Sequence, residues 1–457
     1  MGSMVSIIGI IVALVVMMFL SFKGVSIYLY APASAIIVML TSGLPIWDTL
    51  TGPYMVGFVG YAQSFFLLFM FASIYAKVMG DSGAAQVIAT TLTGLASKAK
   101  KNPKFVAMLC LQSVTLLLTY GGINLFVVVF LQAAIGKSMF QKLDIPWHLY
   151  NAGAWASGTI TMTMLPGTPA SQNLIPMQYL GTTPTAAPIL GLLSAIICVI
   201  LELFYIRYAL KKTEKKGEGF LPTGAVIAER IKEVDLKQVD IGIVKALIPS
   251  IVLLLVLNAK SILGIFMDPI PTWIDLPGMQ LPLVALTIGV ILAIILYRKN
   301  LPNIMQTLAG GAEQSIGVVI SVCAVVGFGS VVAITSGYES VITGLDSLPG
   351  SPLIQLLIAT NVCAGFAGSA SGGLAIGLNS FAQKFLDMGI NPQHIHRIAA
   401  IGCGGLDSLP HNGAVNSGLR VAGLTHKQAY KHTFIECCVI PIIVSVFSII
   451  FATMGIV

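Results

Sequence analysis

Asp407-Ser-Leu-Pro-His-Asn-Gly413 and, in the first half of the chain, Leu165-Pro-Gly-Thr-Pro-Ala-Ser-Gln-Asn173 are polar, proline-bearing stretches enclosed by long apolar runs. Pro166, Gly167 and Pro169 in one stretch, and Pro410 with Gly413 in the other, cannot continue a helix. The chain around them has 457 residues, 56% hydrophobic and 9% charged. A soluble domain carries about 25% charged residues, so the solvent here is a bilayer. At roughly 20 apolar residues per crossing the length accommodates on the order of ten spans. In hydrocarbon every backbone N–H and C=O needs a partner, so a broken helix persists only inside protein or along a water-filled cavity. The two breaks therefore predict an all-α polytopic membrane protein with broken helices at the midplane.

A second pair of breaks, Thr119-Tyr-Gly-Gly-Ile-Asn124 and Gly368-Ser-Ala-Ser-Gly-Gly373, separates apolar stretches of about half the spanning length. These read as tips of re-entrant hairpins entering from opposite sides. An ordinary helix packed through small residues is the other reading. At the proline-bearing breaks, unwound carbonyls suit a cation and the N-terminus of the next half-helix suits an anion. A kink without a ligand is the alternative there.

Gly60-Tyr-Ala-Gln-Ser64 matches Gly311-Ala-Glu-Gln-Ser315, and Tyr120-Gly-Gly122 matches Ser371-Gly-Gly373. Leu165-Pro166 matches Leu409-Pro410, and Leu180-Gly-Thr-Thr183 matches Ala422-Gly-Leu-Thr425. The matches keep their order at separations of about 250 residues, the pattern of an internally duplicated transporter. Residues 1–3 read as an addition ahead of Met4, 4–210 as a first repeat, 211–240 as a cytoplasmic linker and 241–457 as a second repeat. Each repeat is predicted to hold five crossings plus one re-entrant hairpin. Five is odd, so the repeats are inverted. With the linker inside, only Lys260, Lys384 and Arg397 among the basic residues fall outside, as the positive-inside rule requires. Both termini then face the periplasm or exterior of a bacterial inner membrane. Val5 to Leu20 lacks a basic n-region and a cleavage site, and reads as a retained helix. Val5 to Leu40 and Ile241 to Tyr297 lack polar breaks and are expected to form a static, dimerising scaffold past which the hairpins and broken helices move.

Asp407 and His411 are the only side chains in the four breaks whose ordinary titration lies at or below neutral pH. An ionisable group inside a membrane costs a few kcal/mol at least and asks for a reason. The pair reads either as proton-coupling or as two groups that satisfy each other and pin the loop, and His411 also suits a substrate carboxylate. No Lys or Arg occurs in the breaks. An anion would therefore be held by backbone N–H groups, helix dipoles and neutral donors, which gives Gly121, Gly122, Asn124, Gly167, Thr168, Ser369, Ser371, Gly372, Gly373, His411, Asn412 and Gly413 as the candidate substrate-binding set. Such donors suit one carboxylate and a hydroxyl better than a tricarboxylate.

Glu202, one turn from Arg207, reads as a snorkelling edge residue. Glu313 reads as surface or capping, and His394, His396, His426 and His432 as solvated or capping groups at helix ends. The seven cysteines show no metal-ligand or disulfide spacing. Nothing resembles a nucleotide-binding loop, an HExxH helix or a nucleophile elbow. An enzyme, a resident cofactor or metal, and a nucleic-acid partner are not expected. The partners expected are a small organic anion, membrane lipid and a second copy of the chain.

At Asp407-Ser-Leu-Pro-His-Asn-Gly-Ala414, followed by Gly423-Leu-Thr-His-Lys427, the sequence resembles the gluconate permease (GntP) family of the ion transporter superfamily, in its D-beta-hydroxybutyrate permease-like branch. The resemblance runs through both halves. It implies two inverted repeats, a dimerising scaffold, an elevator-type transport domain, and proton-coupled or alternatively sodium-coupled uptake of a small organic anion. A monocarboxylate of about four carbons, 3-hydroxybutyrate, is the expected substrate, with proton favoured over sodium because Asp407 and His411 stand in the break. An intramembrane acid–base enzyme and a channel are the rivals from other classes.

Overall fold

The computed structural model describes residues 2–23, 25–96, 99–123, 125–230, 239–267, 271–272, 274–276, 279–340, 351–410 and 412–457. Every regular element among them is helical. Seven helices are long and apolar enough to cross a membrane, and Ile27–Ser42, Ile243–Leu257 and Pro352–Gly365 are shorter apolar helices.

The first half runs α1 (Gly2–Phe22), α2 (Ile27–Ser42), α3 (Ile46–Asp81) and the short α4 (Ala84–Ala96). A hairpin of α5 (Pro103–Tyr120) and α6 (Leu125–Leu143) follows. Next come α7 (Tyr150–Thr159), which ends in a π turn over Ile160–Met164, and α8 (Ser171–Leu180) beyond the break. The half closes with α9 (Pro188–Lys215). The linker carries α10 (Ala225–Arg230), and α9 extends four residues past the expected linker start at Lys211. The second half ends, as the first does, with a hairpin, a broken pair and a closing helix. It comprises α11 (Ile243–Leu257), α12 (Ala259–Leu263), α13 (Gln280–Tyr297), α14 (Ile304–Ala333), a hairpin of α15 (Pro352–Ala367) and α16 (Ala370–Asp387), a broken pair α17 (Pro392–Cys403) and α18 (Gly413–Ala422), and a closing α19 (His426–Thr453).

Local chemistry sets the element ends. Asn303 and Asn391 cap α14 and α17 by accepting from Gln306 N and Gln393 N. Gly368 ends α15 with φ 56°, and Gly423 ends α18 with φ 65°, conformations that disfavour a Cβ. Most turns and breaks thus coincide with the glycines and prolines that mark them in the sequence.

The two halves meet most extensively through their long helices α3 and α14. Small residues permit the approach. A Cβ on Gly311 would lie 2.7 Å from the Ile74 Cα, and one on Gly57 would strike the Ser330 side chain. Between apolar helices in lipid, such close backbone packing replaces the hydrophobic drive available in water. The α1–α2 pair packs beside this seam, with Tyr30, Val38 and Met39 buried against it and Ile8, Val12 and Val15 exposed outward. Val or any larger residue at 311 must push α3 away from α14. Gly311→Val is expected to destabilise the purified protein by about 1–3 kcal/mol, read as a lowered thermal midpoint in detergent. An unchanged midpoint would contradict this packing.

Candidate binding cavity at the four helix breaks

Every break must satisfy its backbone, and side chains do so here. Tyr120 on the first hairpin donates to the Pro166 carbonyl (3.2 Å), Asn258 to Gly167 (2.9 Å) and Asn173 to Thr168 (3.0 Å). In the second half Asn412 donates to the Asp407 carbonyl (2.8 Å), Tyr430 to Ser408 (3.2 Å) and Asn416 to Pro410 (3.0 Å). The hairpins are tied to the breaks as well. Thr119 and Thr161 share a hydrogen bond of 2.7 Å, and the Leu406 N–H donates to Asn361 of α15.

Between these elements lies a cavity of about 350 Å³. Its polar wall is built from Ser369 and Ser371 at the second hairpin tip, Asp407, Ser408 and Asn412 in the second break, and Ser171 and Gln172 at the start of α8. A smaller compartment of about 80 Å³ adjoins it through the shared residues Phe69, Leu125, Met162 and Ser171, and reaches Thr119 and Gly122 of the first hairpin tip. All four breaks thus border these two adjoining pockets. Gly122 turns the tip with φ 90°, where a Cβ would press on Pro169.

Three half-helices begin at this space. Ser369 and Asn412 each cap their own helix, accepting from Gly372 N and Val415 N, whereas the N-cap of α8, Ala170, offers no side-chain acceptor. The α8 start therefore leaves first-turn N–H groups for a ligand. No Lys or Arg stands on the described walls, and Asp407 is their only carboxylate, hydrogen-bonded by the Ser408 hydroxyl at 3.1 Å.

Of the expected set, Gly122, Ser369, Ser371, Asp407 and Asn412 line the space, and Gly413 opens α18 directly after Asn412. Gly121 packs on Ser250, Gly167 on Asn258 and Gly373 on the backbone of Ala364, and Gly372 lies against Ser369 and Val322; none of these four is on the wall. Thr168 is fully buried with its hydroxyl unpartnered. Asn124 and His411 lie outside the described residues. Trp155, Thr159, Thr163, Ser171, Gln172, Ser321 and Ser408 line the cavity without having been singled out. Trp155 is the most informative of these, because its side chain lines the cavity while its indole N–H is buried and unpartnered. Gly418 makes room for the ring, since a Cβ there would lie 1.9 Å from it. A rare aromatic N–H inside an otherwise small-residue helix was the available signal.

Several expectations are corrected. Glu202 does not snorkel: it is 1% exposed in the middle of α9, accepting from Gln112 at 3.3 Å, while Arg207 stacks on Phe105. His396 is fully buried between Thr182 and Asn173. Arg397, expected in an outer loop, is fully buried in α17 and donates to the Ala186 carbonyl, because α17 packs against the break rather than lying at its edge. His432 is buried beside His148 and Tyr205.

No family model matches the chain. The uncharacterized transporter YxjC of Bacillus subtilis is 32% identical over 453 residues, covering 93% of this chain and 94% of the relative. The high-affinity gluconate transporter of Escherichia coli is 24% identical over 364 residues, with 78% and 77% covered. Among solved structures, the crystal structure of the Alcanivorax borkumensis YdaH transporter, described as having an unusual topology, aligns with a TM-score of 0.55 at 14% identity over 90% of this chain and 89% of that one.

Accessibility tests the cavity without any ligand. In a variant freed of its seven cysteines, Ser369→Cys and Ser171→Cys are expected to react with a small water-soluble thiol reagent and Thr168→Cys to resist it. Reaction at 168 with protection at 369 and 171 would contradict the assignment of the cavity wall.

Proposed function

The chain belongs to a family of membrane transporters, and we propose that it is a secondary active symporter carrying a small monocarboxylate, 3-hydroxybutyrate or a close analogue, together with a proton. The observation that carries this reading is the pairing, on two adjoining pockets, of uncapped helix N–H groups with, among the described residues, a single carboxylate and no Lys or Arg. The N–H groups of α8, the Trp155 indole and the serine hydroxyls suit a carboxylate and a hydroxyl. Asp407 then becomes the coupling element. An ionised Asp407 about 4 Å from a substrate carboxylate would cost roughly 4 kcal/mol at an effective dielectric constant of 20. A protonated Asp407 removes that cost, so anion and proton bind together and leave together. Emptying the site resets Asp407 for the next cycle.

Sodium fits the two proline-bearing breaks less well. The carbonyls of Pro166, Gly167, Thr168, Asp407, Ser408 and Pro410 already accept side-chain hydrogen bonds, which leaves fewer ligands for a hard cation. The paired hairpins and broken helices, set against the apolar helices α1, α2, α11 and α13, support an elevator-type exchange of access. The reading places the protein in a bacterial inner membrane as a homodimer with the linker cytoplasmic, in the D-beta-hydroxybutyrate permease-like branch of the gluconate permease family. The E. coli gluconate transporter favours a second reading, a sugar acid as substrate.

Competition separates the two. Unlabelled 3-hydroxybutyrate is expected to displace labelled 3-hydroxybutyrate at least as well as gluconate does, and a strong preference for gluconate would favour the sugar-acid reading. The sign of the pH dependence follows from the linkage: apparent affinity should be highest at low pH and fall as pH rises. Asp407→Asn should bind with a flat pH profile and lose pH-driven uptake. A wild-type affinity indifferent to pH, or an Asp407→Asn variant with the wild-type slope, would contradict coupling through Asp407.

A further inference from the structure

Behind the first break a cation is sealed where the rest of the site uses neutral groups. Arg397 on α17 is fully buried, and its Nε (3.2 Å) and Nη2 (2.8 Å) both donate to the one carbonyl of Ala186. Its Nη1 is buried and has no hydrogen-bond partner. Among the described residues no carboxylate forms an ion pair with it. A guanidinium does not lose its proton inside a protein, so the charge is permanent, and burying it without a counter-ion is costly. Holding a carbonyl does not require a charge. Tyr120, Asn173 and Asn258 at the first break, and Asn412, Asn416 and Tyr430 at the second, hold theirs with neutral donors. The positive charge at 397 therefore serves something other than the bond to Ala186.

Its surroundings lead to the anion site. Gln393, His396 and Arg397 lie three and four residues apart, on one face of α17, and that face grips the segment between the first break and the start of α9. Gln393 accepts from the Ala187 N–H at 3.0 Å, His396 Nδ1 is 2.7 Å from the Thr182 hydroxyl, and His396 Nε2 is 3.3 Å from Asn173 Oδ1. The Asn173 amide N–H groups go to the Thr168 and Pro184 carbonyls, so the imidazole donates from Nε2 and accepts at Nδ1. That pattern uses a neutral His396 and leaves Arg397 as the charge of the cluster. Asn173 directly follows Ser171 and Gln172, which line the cavity at the start of α8. A Cβ on Gly191 would lie 2.5 Å from the Met164 carbonyl and 3.2 Å from Arg397 Nε, so the guanidinium also adjoins the π turn whose Met162 and Thr163 line the cavity. Arg397 itself is not on the wall.

We propose that Arg397 is the fixed positive charge of the anion site, drawing the substrate carboxylate to the start of α8 from behind the wall while His396 and Gln393 hold that segment in place. This rests on the reading of the site as one for a carboxylate. The α8 start, whose N-cap offers no side-chain acceptor, then receives the anion with two aids, its own N–H groups and a nearby cation that lacks a counter-ion. Attraction across one layer of protein also suits a carrier. A bidentate guanidinium pair would grip the carboxylate, whereas a charge that never touches it favours entry and still permits release. For a separation of about 10 Å and an effective dielectric constant of 20, the attraction corresponds to on the order of tenfold in affinity.

Binding of labelled 3-hydroxybutyrate to the purified intact protein, with labelled gluconate in parallel, tests this. Arg397→Gln keeps an N–H for Ala186 and removes the charge, and Arg397→Lys keeps the charge with a different hydrogen-bond geometry. Arg397→Gln is expected to weaken binding of whichever anion the wild type takes by on the order of tenfold, and Arg397→Lys to restore most of it. A Gln variant with wild-type affinity, or a Lys variant no better than Gln, overturns the proposal and leaves the transporter reading in place. Should neither variant fold, the wild type decides: in protein carrying 13C-guanidinium arginine, the infrared band that resists deuterium exchange is expected to shift when the anion is added, and an unshifted band overturns the proposal. A wild type that binds neither anion overturns the substrate reading and this inference together.

Discussion

The structure depends on one constraint: inside hydrocarbon, a backbone N–H or C=O that leaves a helix must find another partner. Each break in this chain is therefore surrounded by side chains that answer it, Tyr120, Asn173 and Asn258 in one half and Asn412, Asn416 and Tyr430 in the other. Those partners come from hairpins, neighbouring helices and the breaks themselves. Satisfying the backbone thus draws the two hairpins and two broken helices into one body around a shared space. The cavity is a by-product of that accounting, and the start of α8, whose N-cap offers no side-chain acceptor, lies on its wall.

Much of this was legible in the sequence, for a physical reason. Proline and glycine within an apolar run have few structural interpretations in a membrane, so the stretches at 165–173, 368–373 and 407–413 stand out without any fold in hand. The order of elements in the two halves follows the same punctuation. Residues that act by being brought together were not legible. Trp155 sits in an unbroken helix, and Glu436 lies in a stretch that reads as one apolar crossing. The contact of α9 with α19, which brings the Tyr205 hydroxyl to His432, joins residues more than two hundred positions apart. Glu202 was misjudged because Arg207, one turn away, offered a local partner that the guanidinium spends instead on Phe105.

Glycine shows the same division. Gly368 and Gly423 end helices in left-handed conformations, which the sequence announces. Gly311 and Gly418 instead make room for Ile74 and Trp155 from other parts of the chain, and their role emerges only in the packed structure. Both uses serve one end, a close-packed body in which irregular backbone is held without water.

The central claim is that this space carries an anion across the membrane uphill and unchanged. The direct measurement is uptake of labelled 3-hydroxybutyrate by vesicles containing the purified protein under an imposed inward proton gradient, with the internal label identified chemically. The account predicts intact 3-hydroxybutyrate concentrated inside above its external level, and loss of that excess when a protonophore collapses the gradient. Label that only equilibrates across the membrane, or that appears inside as a different compound, would contradict it.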